Sequence, residues 1–579
     1  FSRILITTSV CALRFQFKLY NKPVRDGMVF RDKKCKEHTY FRCIYAFYTF
    51  YPLITFTRKN QIYIIMTESY TGWLSKLKGM IEIMILEKRL KTYVEKFNTE
   101  DEEIYCQEIG NEQAFNWLIK NIPLFECPDS DIEEIYYFRW WTYRKHVKKT
   151  LEGYIITEFL PEVPWAGTYN SINCAAGFHI REGRWLRNGR KILEDYIRFW
   201  FRGSGNIRSY STWIADAVWD YCSVSGDYSL GIELLEDLIL NFEQWTNGHR
   251  QDNGLYWSID DRDAMECSIS GSGFRPTLNS YLYADATAIS RLAAMAGKDE
   301  VAARFRETAA ELKECVQKYL WNGDFFQVIP ANIDTEKKCF IGCDTMDFQK
   351  IPPDRNVKEL IGYIPWYFNL PDAGYEKAFS YLLKEENFMG KAGLRTADKS
   401  HPRYSFEMPH ECLWNGPAWP YATTQTLVAL ANVLRGYRQE YVSKEDYFRI
   451  LKDYARSQHR VTDNGKVIPW IDEDQNPETG EWTARAILES WGWKPEKGGY
   501  ERGKDYNHSM YCDLIITGPL GIDPSQEPLA VKPLIPEEWE YFLLEGVEIH
   551  GKLYTIQYDK YGKRYNRGKG LQIILIDPS

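Results

Sequence analysis

Two acidic stretches carry most of the side chains that could do chemistry. Residues 469–482 read PWIDEDQNPETGEW and set Asp472, Glu473, Asp474, Glu478 and Glu481 between tryptophans. Asn476-Pro477 and Thr479-Gly480 are turn signals, because Pro fixes φ and Gly accepts φ > 0, so this stretch reads as a loop. Well upstream, residues 254–277 crowd Asp260, Asp261, Asp263 and Glu266 beside Tyr256 and Trp257, with Arg262 and Arg275 available to neutralise part of the charge. Crowded carboxylates do not all ionise cheaply. One pKa rises, and a carboxyl still protonated near neutral pH is what general-acid catalysis needs. Aromatic rings stack on pyranose faces, so two acidic loops flanked by tryptophans fit glycoside hydrolysis by a pair of carboxylates. The competing readings are a solvated acidic turn for the later loop, and a calcium-like or helix-capping loop for the earlier one.

Other chemistries lack their residues. There is no HExxH, GxSxG or Rossmann fingerprint, and the near-miss to a phosphate loop at 498–504 has Asp505 where Ser or Thr must ligand Mg²⁺. The nine His are scattered, and the 13 Cys show no CxxC spacing. Buried thiols are expected, with no disulfide framework, metal or other cofactor. A net charge of −8 gives no basic stripe for a phosphate backbone, which argues against nucleic acid. The composition, 44% hydrophobic and 26% charged over 579 residues, is that of a globular protein with a large core and more than one domain. Aromatic residues reach 15%, enough to line both an interior and a cleft.

The elements that must position these loops change character along the chain. Residues 1–95 form an atypical segment: the sequence starts without Met, carries runs such as YFRCIYAFYTFYPLITF and sustains neither helical nor strand periodicity. Residues 4–13 resemble the apolar core of a signal peptide but lack its basic flank and cleavage site, and Met66 is an alternative start. No run reaches the ~18 apolar residues of a membrane span. The location is left open between secreted or periplasmic and cytoplasmic. Residues 96–525 are a procession of amphipathic helices, expected at 132–147, 169–186, 190–201, 211–223, 230–245, 281–296, 299–320 and 419–436, with further ones at 357–366, 375–384, 444–458, 483–489 and 507–516. Consecutive helix pairs of this kind can close into an (α/α)6 toroid whose connecting loops form a rim cleft, and the two acidic stretches are the long loops of the set. Residues 526–579 alternate in strand fashion and predict a small C-terminal β-domain.

Within this framework, the run 410–425 (HECLWNGPAWPYATTQ), the segment 473–480 (EDQNPETG), and Tyr506-Asn507-His508-Ser509 followed by Cys512-Asp513-Leu514-Ile515 resemble the glycosidases of glycoside hydrolase family 63 and the mannosylglycerate hydrolase-like group. The resemblance covers about Trp140 to the C-terminus. It implies a mainly α fold, an (α/α)6 toroid, and an exo-acting, inverting enzyme. It also implies Glu473 as general base, with Glu501 the runner-up. The family's general acid matches the stretch 261–266, where Asp263 is the first choice and Asp261 and Glu266 are rivals. Trp414 and Trp419 become candidates for sugar stacking and Asn415 for a hydroxyl contact, with Trp165, Arg184 and Arg275 as further binding candidates. The N-terminal β-sandwich of many members is not recognisable. The implied partner is an oligosaccharide or glycoside, of unspecified sugar and linkage. A polysaccharide lyase on the same toroid would want a Tyr or His base and basic neutralisers of uronates, which the acidic loops disfavour. A non-catalytic carbohydrate-binding protein is the alternative of a different class.

Overall fold

The computed structural model describes residues 27–30, 54–58, 61–65, 70–405 and 410–576. It comprises two compact units, Phe1–Ile85 and Leu86–Ser579. The first contains an antiparallel sheet in which the Gln61–Ile65 strand lies between Gly27–Phe30 and Ile54–Arg58. The signal-like stretch 4–13 and Met66 lie outside the described residues.

The second unit opens inside the helix Tyr70–Glu100. Leu86, Leu90, Val94 and Phe97 recur at helical spacing and are buried in the main core. All of this stripe but Phe97 falls within the stretch that reads as aperiodic in the sequence. It is only about three turns long, and the apolar Met84 and Ile85 just before it are exposed, which blurs the amphipathic pattern.

The unit is mainly α. Ala176–Gly183 packs on Ile214–Ser225, which packs on Pro276–Met295; the series continues through Ile364–Tyr367, Pro420–Gly436 and Cys512–Thr517, and the last returns to Ala176–Gly183. These helices therefore close a ring. Outside it, Arg190–Arg202 lies against Ala176–Gly183, Leu235–His249 and Asp299–Tyr319 against Pro276–Met295, and Lys444–Ser457 against Pro420–Gly436. Local chemistry sets the ends. Pro sits in the first turn of Pro276–Met295 and Pro420–Gly436, where its missing N–H leaves no bond unmade. Ser443 and Asp446 form a capping box for Lys444–Ser457. Asp129 accepts from Asp131 N and Ile132 N to start Ser130–His146, whose last turn carries Arg144, Lys145 and His146 against the helix dipole.

Several helices are shorter than their patterns predict. The one expected at 169–186 is confined to Ala176–Gly183, because Tyr169 and Asn170 take φ of 57° and 64°. The stretches 357–366 and 375–384 supply tight turns, Leu360–Tyr363 and Glu376–Tyr381, and the short helix Ile364–Tyr367. The helix expected at 507–516 begins only at Cys512.

At the C-terminal end, Tyr541–Ile549, Lys552–Asp559 and Gly570–Leu575 form an antiparallel meander. A fourth strand, Leu124–Glu126, comes from near the start of the unit and pairs with Tyr541–Ile549. Phe542, Leu544, Val547 and Ile549 join the same core as the helices. Among the described residues no helix is long and apolar enough to cross a membrane.

Candidate active site

The loop at 469–482 is held by backbone pairing. Ala418, just ahead of the Pro420–Gly436 helix, exchanges both backbone hydrogen bonds with Gln475 at 2.8 and 2.9 Å. Asn476 Oδ1 accepts from Glu478 N at 2.9 Å, and Gly480 at φ 78° closes the turn. The five acids then separate by partner. Asp474 accepts from Thr483 Oγ1 and Ala484 N and so caps the helix Thr483–Ser490. Glu478 pairs with Arg395 and Lys399, and Glu481 accepts from Thr479. Asp472 accepts from Glu473 N at 2.8 Å, and burial pushes its pKa up to about 7. Glu473 is 4% exposed and forms an ion pair with the guanidinium of Arg502, which also reaches Glu411 at 3.4 Å. Burial pushes the Glu473 pKa up and Arg502 opposes it.

The earlier loop sorts its acids differently. Asp263 ends a 3₁₀ turn, Asp261–Asp263, and Ala264 follows at φ 57°, reversing the chain. The Asp263 carboxylate points into packed protein: Ser211 donates to Oδ1, and Thr277 and Arg275 Nε donate to Oδ2, the latter at 2.7 Å. Both side chains of the Asp263–Arg275 pair are 0% exposed. An acid so enclosed reaches no glycosidic oxygen, and Arg275, which also donates to Ser268 Oγ and Gly271 O, has no donor directed at a ligand. The pair anchors the loop. Replacing Asp263 by Asn strands a buried guanidinium, and we expect a loss of about 3–5 kcal/mol in unfolding free energy, measured by denaturant titration. Wild-type stability with abolished turnover would instead return Asp263 to the chemistry.

Glu266 lies past the reversal and remains partly exposed. Its Oε2 accepts from Trp414 Nε1 at 3.0 Å and from Cys412 Sγ at 3.4 Å, while Trp414 N donates to its backbone O at 3.0 Å. Burial raises its pKa to about 7, and the negative charge of Asp261 adds to the rise. Asp261 itself is half exposed, beside Arg262 at 3.7 Å.

The remaining candidates divide. Glu501 is held by Arg485, with Nε–Oε2 at 3.1 Å and a second contact from Nη2 to Oε1. Arg184 is engaged by Asp513 at 2.8 Å and by Asp220. Trp414 and Trp419 stack on each other at 3.8 Å with each ring 1% exposed, so they present no face to a sugar; Trp414 instead aims Glu266. Asn415 is buried, and its backbone O accepts from Ser405 N. Trp165 is 39% exposed, and its ring lies 5.3 Å from the guanidinium of Arg502, the partner of Glu473.

The Cys412 thiol hydrogen-bonds Glu266 at 3.4 Å. Around the two loops stand groups that the sequence does not single out. Arg502 fixes Glu473, and Lys497 with Arg502 holds Glu411 ionised: burial works to raise the Glu411 pKa, and the two cations bring it below its ordinary value. Glu158, buried between strand Gly153–Ile156 and Phe159, contacts Cys174 and His508, and burial lifts its pKa to about 8. Its signal is a lone acid in the apolar run Tyr154-Ile155-Ile156-Thr157-Glu158-Phe159-Leu160.

The chain is 39% identical to a solved protein described as a sialidase, with a TM-score of 0.75 over 84% of this chain, and it spans 43% of that protein's length. A rhamnosidase of family 78 from a Bacillus species is 13% identical, with 76% of this chain and 40% of that one covered and a TM-score of 0.46. A family 63 mannosylglycerate hydrolase from Thermus thermophilus, solved with glucose, is 12% identical, with 54% and 77% covered and a TM-score of 0.35. The profile of the mannosylglycerate hydrolase MGH1-like glycoside hydrolase domain matches residues 168–509, a span that includes Glu266, Cys412, Trp414, Glu473 and Arg502, and the chain belongs to that glycoside hydrolase family.

Proposed function

We propose that the protein is an exo-acting, inverting glycosidase acting on an oligosaccharide or glycoside, with Glu266 as general acid and Glu473 as general base. The closed ring of helices supports reading the scaffold as an (α/α)6 toroid, with both carboxylates on its connecting loops. The observation that carries the proposal is that two glutamates, one on each loop, stand beside groups of opposite charge. Burial raises the Glu266 pKa to about 7 and the charge of Asp261 adds to the rise; burial raises the Glu473 pKa as well, and there the cation of Arg502 opposes it. A like charge beside one carboxyl and a cation beside the other favour the acid and the base role respectively.

In this reading Glu266 gives its proton to the glycosidic oxygen as the bond to the anomeric carbon breaks. Glu473 takes a proton from the water that attacks the opposite face, and the anomeric configuration inverts. Trp165 offers the stacking surface at the edge. The test is hydrolysis of a panel of α- and β-linked oligosaccharides, followed by proton NMR of fresh digests. The inverted anomer is expected as first product. A retained anomer would remove the water-activating role of Glu473, and binding without hydrolysis across the panel would favour a carbohydrate-binding protein.

A further inference from the structure

We propose that Glu158, Cys174 and His508 form a binding site for one zinc-like divalent cation. The three side chains come from distant parts of the chain. Glu158 follows the strand Gly153–Ile156, Cys174 precedes the helix Ala176–Gly183, and His508 precedes Cys512–Thr517. All three are buried, and one ligand atom from each lies within 4.8 Å of the others.

The geometry fits a small tetrahedral ion. His508 Nε2 is 3.2 Å from Cys174 Sγ, which is 3.4 Å from Glu158 Oε2. Zinc bond lengths at a tetrahedral angle put two ligand atoms roughly 3.5 Å apart. One thiolate, one imidazole and one carboxylate is a donor set for zinc rather than for calcium or magnesium, which prefer oxygen. The shell behind the ligands is also built. Tyr506 hydroxyl hydrogen-bonds His508 Nδ1, which lies 3.6 Å from Glu158 Oε1, while Nε2 faces the Cys174 thiol. Asn507 N donates to Glu158 O at 3.0 Å, tying two of the ligand segments together, and the Tyr421 ring packs 4.6 Å from that of His508. Three protein ligands leave a fourth position open.

This proposal stands apart from the assignment of Glu266 and Glu473, and its test reads metal rather than turnover. The full chain is stripped with chelator, given zinc chloride, desalted and assayed for metal by mass spectrometry. About one zinc per chain is expected. Cobalt chloride in place of zinc should give a near-ultraviolet thiolate-to-cobalt absorption. Cys174→Ser should lose that band and His508→Gln should weaken zinc binding at least about tenfold, both with a wild-type circular dichroism spectrum. Cys106→Ser and Cys339→Ser, which remove exposed thiols, should keep both signals. If Cys174→Ser does not fold, His508→Gln carries the test by itself. Negligible zinc in the wild type, or undiminished zinc in the folded variants, overturns the proposal and leaves a hydrogen-bonded Glu–Cys–His cluster.

Discussion

Glu473→Gln should lower kcat by about 10²–10⁴-fold on any substrate the panel identifies, with substrate binding kept. The amide has the shape of the carboxylate but accepts no proton, so water loses its base while the ground-state contacts survive. The substitution removes a charge partner from Arg502, and that change alone could unsettle a site. Here the guanidinium retains Glu411 at 3.4 Å, and Lys497 neutralises the rest of Glu411, so the fold is expected to hold. Isothermal titration with a non-hydrolysed substrate, beside steady-state kinetics, separates the two effects. A variant within tenfold of wild-type kcat would place the base elsewhere.

The second large effect belongs to Glu266→Gln, and it should depend on the leaving group. Natural glycosides leave as alkoxides that need a proton, so their kcat should fall by about 10²–10⁴-fold. Aryl glycosides with acidic phenols leave unaided and should fall much less. A base would not discriminate in this way, nor would a residue that only holds the loop. Equal losses on both substrate classes would assign Glu266 a structural role through Trp414 and Cys412.

Much of the fold and part of the site are legible in the amino-acid sequence. Long amphipathic runs such as 299–320 reproduce as the helix Asp299–Tyr319, because a stripe of Ala302, Phe305, Leu312 and Val316 can only be buried on one face. The loop carrying Glu473 is legible from its Asn-Pro and Thr-Gly turn and from the resemblance of its motif. The choice among acids three residues apart is not. Asp263 and Glu266 share composition and neighbourhood in sequence, and they diverge only because Ala264 adopts a positive φ, turning one into Arg275 and the other toward Trp414. The tryptophans mislead for a related reason. Trp414 and Trp419 sit in a motif that reads as a sugar platform, yet their stacking on each other is a tertiary fact that spacing does not encode. Arg502 and Glu158 become partners of the site through contacts across many residues of chain, and no local pattern marks such pairs.

The role of Glu266 as the acid is tested most directly by the alkaline limb of the pH profile of kcat/KM, which reports the free enzyme's essential acid. Because the Glu266 pKa is raised to about 7, the protonated fraction falls as pH rises through that value, and kcat/KM for the wild type should drop tenfold per pH unit above it. In Glu266→Gln the residual activity on an aryl glycoside should lose this limb and run flat through the same range. A limb that persists unchanged in the variant would contradict the assignment and show that a different group carries the proton.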